Sequence, residues 1–140
     1  MDTQFYFTKH SEASLVVLEG GKIQTYELDK KSEWKIGRAT AEMSKKPDIS
    51  FLSQIVSRDH GWLRNIEGQW YYIDNPKNFN GTFYNGVKIP RSPNLIKYPA
   101  VSLASGDLLR IDYKDLNTPS ANGNVIKLRG TRLHRNVGSS

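Results

Sequence analysis

Cysteine is absent from this 140-residue chain. Without a thiol there is no disulfide framework, no thiolate metal ligand and no cysteine nucleophile, and either redox compartment is compatible. Long apolar runs are missing too. No stretch approaches the roughly twenty residues that cross a bilayer as a helix, and the start Met1-Asp2-Thr3-Gln4 lacks the charged-then-apolar pattern of a secretory signal. The only histidines are His10, His60 and His134, none at metal-ligand spacing from another histidine or a carboxylate pair. A glycine-rich phosphate loop with its lysine is also lacking. The expectation is a protein without catalysis, cofactor or bound metal, placed in the cytoplasm or elsewhere inside the cell.

Helical periodicity is equally sparse: no apolar stripe of period 3.6 extends beyond about two turns, so helix is confined to one turn around Ala39–Met43. What the chain does have is a succession of short apolar, aromatic and β-branched runs separated by turn residues, the spacing of a sandwich or barrel. Strands are expected near Gln4–Thr8, Ser14–Leu18, Lys22–Leu28, Trp34–Gly37, Ile49–Phe51, Gly61–Ile66, Gln69–Asp74, Thr82–Tyr84, Val87–Ile89, Val101–Leu103, Asp107–Asp112 and Val125–Arg129. In Trp70-Tyr71-Tyr72-Ile73 the alternation sends Trp70 and Tyr72 to one face and Tyr71 and Ile73 to the other. Trp62 joins this aromatic set as core and sheet face, not as a base-stacking platform. Pro90–Pro99 and Asn117–Asn124 read as surface loops. Residues 1–130 make one all-β domain, and 131–140, with Arg132, His134 and Arg135, a flexible basic tail or linker.

Lys and Arg total 20 against 14 Asp and Glu, a formal charge of +6. A basic surface prefers acidic partners, and net charge alone does not choose among nucleic acid, anionic lipid and phosphorylated protein. The loops are more selective. Gly37-Arg38 ends a strand, Ser57-Arg58-Asp59-His60 precedes another, and Asn80-Gly81-Thr82 and Asn85-Gly86 form tight turns. A sandwich gathers such loops at one end. Arg38 offers a planar fork of donors to phosphate oxygens, and Gly37 before it is expected to let the backbone turn so that the fork points outward. Ser57 offers a hydroxyl and a backbone N–H; Arg58, Lys45, Lys46 and Lys77 add positive field. The amide of Asn80 both donates and accepts, which suits the backbone of an extended peptide. Gly81 permits the turn and Thr82 is expected to tie it down. Phosphothreonine, with about −1.5 to −2 charges and three strong acceptors, matches this set.

Gly-Arg, Ser-Arg-x-His, Asn-Gly-Thr and Asn-Gly in this order, followed by Leu103-Ala104-Ser105-Gly106-Asp107, resemble the forkhead-associated (FHA) domain over most of the chain. The resemblance implies a β-sandwich of about eleven strands that binds phosphothreonine peptides at its loop end. By motif, Arg38 and Ser57 contact phosphate, Asn80 the peptide backbone and Arg58 a further part of the peptide. His60 braces the loops from inside, and Gly37 and Gly81 set their shape. The partner implied is a phosphothreonine-containing protein, met by a domain that is monomeric in isolation. One departure stands at Asn78-Phe79, where many members carry a hydroxyl side chain: Phe79 cannot donate a side-chain hydrogen bond, so one phosphate contact is lost unless its backbone N–H supplies it. Two other readings remain: a phosphate-independent interaction scaffold of the same fold, and electrostatic nucleic-acid binding through the basic surface and the Lys127–Arg135 stretch.

Overall fold

The computed structural model describes residues 13–112 and 124–129. Their strands are β1 (Ser14–Glu19), β2 (Lys22–Glu27), β3 (Glu33–Arg38), β4 (Ile49–Phe51), β5 (Gly61–Ile66), β6 (Gln69–Asp74), β7 (Phe83–Tyr84), β8 (Val87–Lys88), β9 (Ala100–Ser102), β10 (Leu108–Ile111) and β11 (Asn124–Arg129). They form two sheets, ordered β2-β1-β11-β10-β7-β8 and β4-β3-β5-β6-β9. The segment Gln4–Thr8, residues 113–123 and the tail 131–140 lie outside the described residues. Among those described, no helix is long and apolar enough to cross a membrane.

Alternation dictates the two layers. Leu15 and Val17 of β1, Trp34 and Ile36 of β3, Leu63 of β5, Trp70 and Tyr72 of β6, Leu109 and Ile111 of β10 and Ile126 of β11 all point between the sheets and are buried. Their neighbours in sequence face outward, because successive strand side chains take opposite faces. Tyr71 and Ile73 are accordingly half-buried on the outer face of the second sheet, where Trp62 leans on Tyr98 with ring centroids 5.9 Å apart.

Polar side chains pin the turns. Asp107 is drawn into the turn before β10, accepting from Ala104 N at 2.9 Å, from Tyr84 Oη at 2.7 Å and from the amide of Asn85 at 3.1 Å. It thereby fastens the β9–β10 turn to the β7–β8 hairpin. At the same end of the sandwich, the Trp34 indole donates to the carbonyl of Leu28 at 3.0 Å.

The helical turn expected at Ala39–Met43 does not form. A single bond from Met43 N to Thr40 O, 3.2 Å, closes an isolated turn there. One such bond cannot repay helix nucleation, and the segment is held instead as the crossover between β3 and β4, which run parallel. The 3-10 turn among the described residues is Leu28–Lys30, where the buried Leu28 side chain anchors the chain as it passes from one sheet to the other.

Leu63 is fully buried at the centre of the second sheet. Leu63→Ala should cost about 2–5 kcal/mol, read as a lower guanidinium chloride midpoint at unchanged m value; a midpoint equal to wild type would contradict this packing.

Candidate functional site

Arg38 closes β3 with the inward parity of Trp34 and Ile36, but it comes where the core ends. Its side chain is half-buried and its Nε has no hydrogen-bond partner. A buried N–H left unmatched costs on the order of 1–3 kcal/mol, so this guanidinium lies where an acceptor would be welcome. Gly37 makes room beside it. A Cβ at position 37 would stand 1.9 Å from the carbonyl oxygen of Arg58 and 3.2 Å from Pro47. The expectation that Gly37 turns the backbone is therefore corrected: it is a regular strand residue, and its value is the space it leaves for the β4–β5 loop to lie against β3. That approach is sealed by Arg38 N bonding Ser57 O at 3.0 Å.

In the β4–β5 loop, Ser57 Oγ accepts the backbone N–H of Phe79 at 2.9 Å, which leaves the hydroxyl proton for another acceptor. Arg58 is exposed. Lys35, Arg64 and Lys31 are each paired with a carboxylate (Asp59, Glu33 and Asp48), whereas among the described residues neither Arg38 nor Arg58 is. Lys45, Lys46 and Lys77 are exposed around the same end. The start of the loop is gripped from the other sheet: the Glu19 carboxylate accepts Leu52 N at 2.8 and 3.0 Å and Ser53 N at 2.7 Å.

His60 lies beneath these loops, fully buried. Its Nδ1 accepts the N–H of Ser57 at 3.1 Å, so the ring proton is on Nε2, which reaches Gly81 O and Thr82 Oγ1, each at 3.1 Å. Thr82 Oγ1 also meets Tyr72 Oη and Asp74 Oδ1, both at 2.9 Å, and Tyr72 donates to Asp74 Oδ1 at 2.7 Å. The Asn80 amide donates to Ile55 O at 2.8 Å, joining the β6–β7 loop to the β4–β5 loop; the residue is only 6% exposed. Gly81, at φ +80, takes the left-handed conformation that side chains disfavour. Phe79, by contrast, projects into solvent, 64% exposed.

Residues 34–112 match the sequence profile of the FHA domain, more than half of the chain. The chain belongs to the FHA domain family. Among solved structures, this FHA domain is similar to full-length yeast Pml1p at 21% identity and TM-score 0.62, covering 91% of this chain and 94% of that one. It is also similar to the FhaA FHA domain, solved in complex with the intracellular domain of Rv3910, at 21% identity and TM-score 0.58, over 84% of this chain and 99% of that one. Mycobacterium tuberculosis EmbR, solved with a low-affinity phosphopeptide, matches at 20% identity and TM-score 0.58, over 86% of this chain but 25% of its own. At such identities the likeness is one of fold. A search of curated protein sequences finds no match.

The structure thus brings Arg38, Ser57, Arg58 and Asn80 to one end of this FHA domain, with Gly37, His60, Gly81 and Thr82 supporting them. Sequence reasoning missed Glu19, Tyr72, Asp74 and Arg91. Asp74, buried at the end of β6, accepts from Tyr72, Thr82 and, at 2.9 Å, Asn78. Burial raises its pKa, and those hydrogen bonds and the Arg91 charge offset part of the rise. Asn78 spends its carbonyl on Gly81 N at 2.8 Å and on the Arg91 guanidinium. The sequence signal for Asn78 was its place in Asn75-Pro76-Lys77-Asn78, a turn sequence; nothing local marked Glu19.

Burial lowers the His60 pKa from 6.5 to about 4, with the Arg91 charge adding to the drop against the bond to Gly81. The folded state then favours neutral imidazole, so its contribution is complete above pH 6.5 and is lost as pH falls toward 4, up to about 3 kcal/mol. His60→Asn should therefore be less stable than wild type at neutral pH, with the gap narrowing across that window in urea unfolding; a gap constant with pH would show that the imidazole titrates normally. Gly37→Ala should lower the melting temperature sharply, and an unchanged melting temperature would mean that Arg58 need not lie so close.

Proposed function

We propose that this FHA domain is a phosphothreonine-dependent protein-interaction module, with no reaction of its own, that docks a phosphorylated segment of a partner protein across its loop end. The observation that carries the reading is the guanidinium of Arg38, with a buried Nε that has no acceptor, backbone-bonded to Ser57, whose hydroxyl proton is unspent. Arg38 Nε and the Ser57 hydroxyl are donors with no acceptor among the described residues. Membership of the FHA family supports it, as do the complexes of two fold neighbours, EmbR with a phosphopeptide and the FhaA domain with an intracellular protein domain.

Arg38 and Ser57 are assigned to phosphate oxygens. Arg58, exposed and without an ion pair among the described residues, is assigned to the phosphate or the peptide beside it, and Asn80 to the peptide backbone between the two loops that its side chain joins. Phe79 contributes no hydroxyl; its backbone N–H is committed to Ser57 Oγ and orients that hydroxyl instead. Kinase action on the partner adds the charge this end lacks. Each charge-assisted hydrogen bond gained is worth about 1.5–3 kcal/mol, so two of them separate the phosphorylated from the unmodified peptide by at least a hundredfold.

The test is titration of phosphothreonine, phosphoserine and unmodified peptide libraries, and of a duplex oligonucleotide, at two salt concentrations. Saturable binding of the phosphothreonine library alone is expected, and Arg38→Ala should weaken it at least tenfold while the melting temperature holds. Equal affinity in the variant, or binding of the oligonucleotide alone that fades steeply with salt, would overturn the assignment.

A further inference from the structure

Each sheet has two edge strands, and three of the four are short: β8 has two residues, and β4 and β9 have three each. β2 is the exception. It runs for six residues with no proline and no break in register, five of them exposed, and among the described residues it pairs with β1 alone. A long regular edge is a template for a further strand, which is why proteins ordinarily shorten, bend or block one. The hairpin geometry identifies the open backbone groups. Gly20-Gly21 make a two-residue turn, so Glu19 and Lys22 exchange hydrogen bonds across it, and by alternation Ile23 and Thr25 turn their N–H and C=O groups away from β1. Lys22 and Gln24 send their side chains to the inner face, Gln24 opposite the buried Val17. Along that inner side the sandwich is open. Between β2 and the facing edge at β4 lies a groove of ≈ 310 Å³ with Val17, Ala39 and Leu52 as apolar walls and the exposed Lys22, Gln24 and Lys46 beside them. Glu19 also lines it, but its carboxylate is spent on the N–H groups of Leu52 and Ser53. Neither lysine has a carboxylate partner among the described residues.

We infer that β2 is a docking edge for an extended acidic segment of a partner protein, which adds to the first sheet as a seventh strand. Three observations select this occupant. The open backbone groups of Ile23 and Thr25 ask for an extended chain, since only a strand matches their spacing. Every second side chain of that strand falls on the inner face, over the groove. There Lys22 and Lys46 ask for an aspartate or glutamate, and the walls of Val17, Ala39 and Leu52 for an aliphatic side chain two residues away on the same face. A second copy of β2 does not meet this demand, because its own inward residues, Lys22, Gln24 and Tyr26, include no acid. The edge recognises backbone and carboxylate without phosphate, so the inference stands apart from the phosphothreonine reading.

The experiment selects unphosphorylated random peptides of about ten residues, displayed on phage, against the full chain, and titrates the synthesised winners by amide-shift NMR. The winners should share an Asp or Glu two residues from a Val, Ile or Leu, and should move the amide signals of Ile23 and Thr25 more than those of Arg38 and Ser57. Thr25→Pro should abolish their binding; proline is tolerated there because that N–H faces away from β1, and it removes the donor an added strand needs. Lys22→Glu combined with Lys46→Glu leaves the backbone edge intact and should weaken binding about tenfold, the size of two surface charge pairs turned from attraction to repulsion. A selection without binders, shifts centred away from β2, or affinity unchanged by the lysine reversals overturns the docking edge. So does dimerisation of the wild type in sedimentation that Thr25→Pro abolishes, because the occupant would then be a second copy.

Discussion

Three chain segments carry the loop end of this domain, and a single neutral imidazole fastens them. His60 accepts the N–H of Ser57 through Nδ1 and reaches Gly81 O through Nε2. Its own N–H bonds Ile36 O at 3.0 Å, just before Gly37-Arg38, and its carbonyl receives Asn75 N at 3.1 Å and the Asn78 amide at 2.9 Å. The ends of β3, the β4–β5 loop and the β6–β7 loop are thereby referred to one residue. A ring that accepts a backbone N–H cannot also be protonated there, so the joint works only while the imidazole is neutral. Burial enforces that state.

Beneath the imidazole the protein tolerates an expensive arrangement. Asp74 is fully buried, and its Oδ2 has no hydrogen-bond partner. Desolvation opposes its ionisation, while Tyr72, Thr82, Asn78 and the Arg91 charge favour it. Networks of this kind rigidify what they join, because every member is oriented by the others. Under the proposed reading, such rigidity keeps Ser57 and the end of β3 in place before an anion arrives, and what is already ordered loses little freedom on binding. Arg38 also differs from Lys31, Lys35 and Arg64, whose charges are spent on Asp48, Asp59 and Glu33.

The sandwich itself was legible along the chain. Alternation in segments such as Trp70-Tyr71-Tyr72-Ile73 located strands and told inward from outward residues, because a two-residue repeat is local and burial follows it. Boundaries shifted by a residue where a side chain took other work. Leu28 left β2 to anchor a 3-10 turn, and Asp107 left β10 to hold a turn together. The turn at Ala39–Met43 was misread because helix propensity there is local and the crossover to parallel β4 is not.

Composition, periodicity and turn chemistry therefore determined the layer architecture, the sheet faces and the order in which Gly-Arg, Ser-Arg-x-His and Asn-Gly-Thr occur. They did not determine why Gly37 must lack a side chain, that Glu19 grips Leu52 and Ser53 from 33 and 34 residues away, or that Lys88 and Arg91 close over Gly81. Those are contacts between segments distant in sequence, each set by the close approach of two backbones or by the burial of a charge. Such facts arise only when the two sheets pack, since no local pattern encodes the distance between loops that belong to different strands.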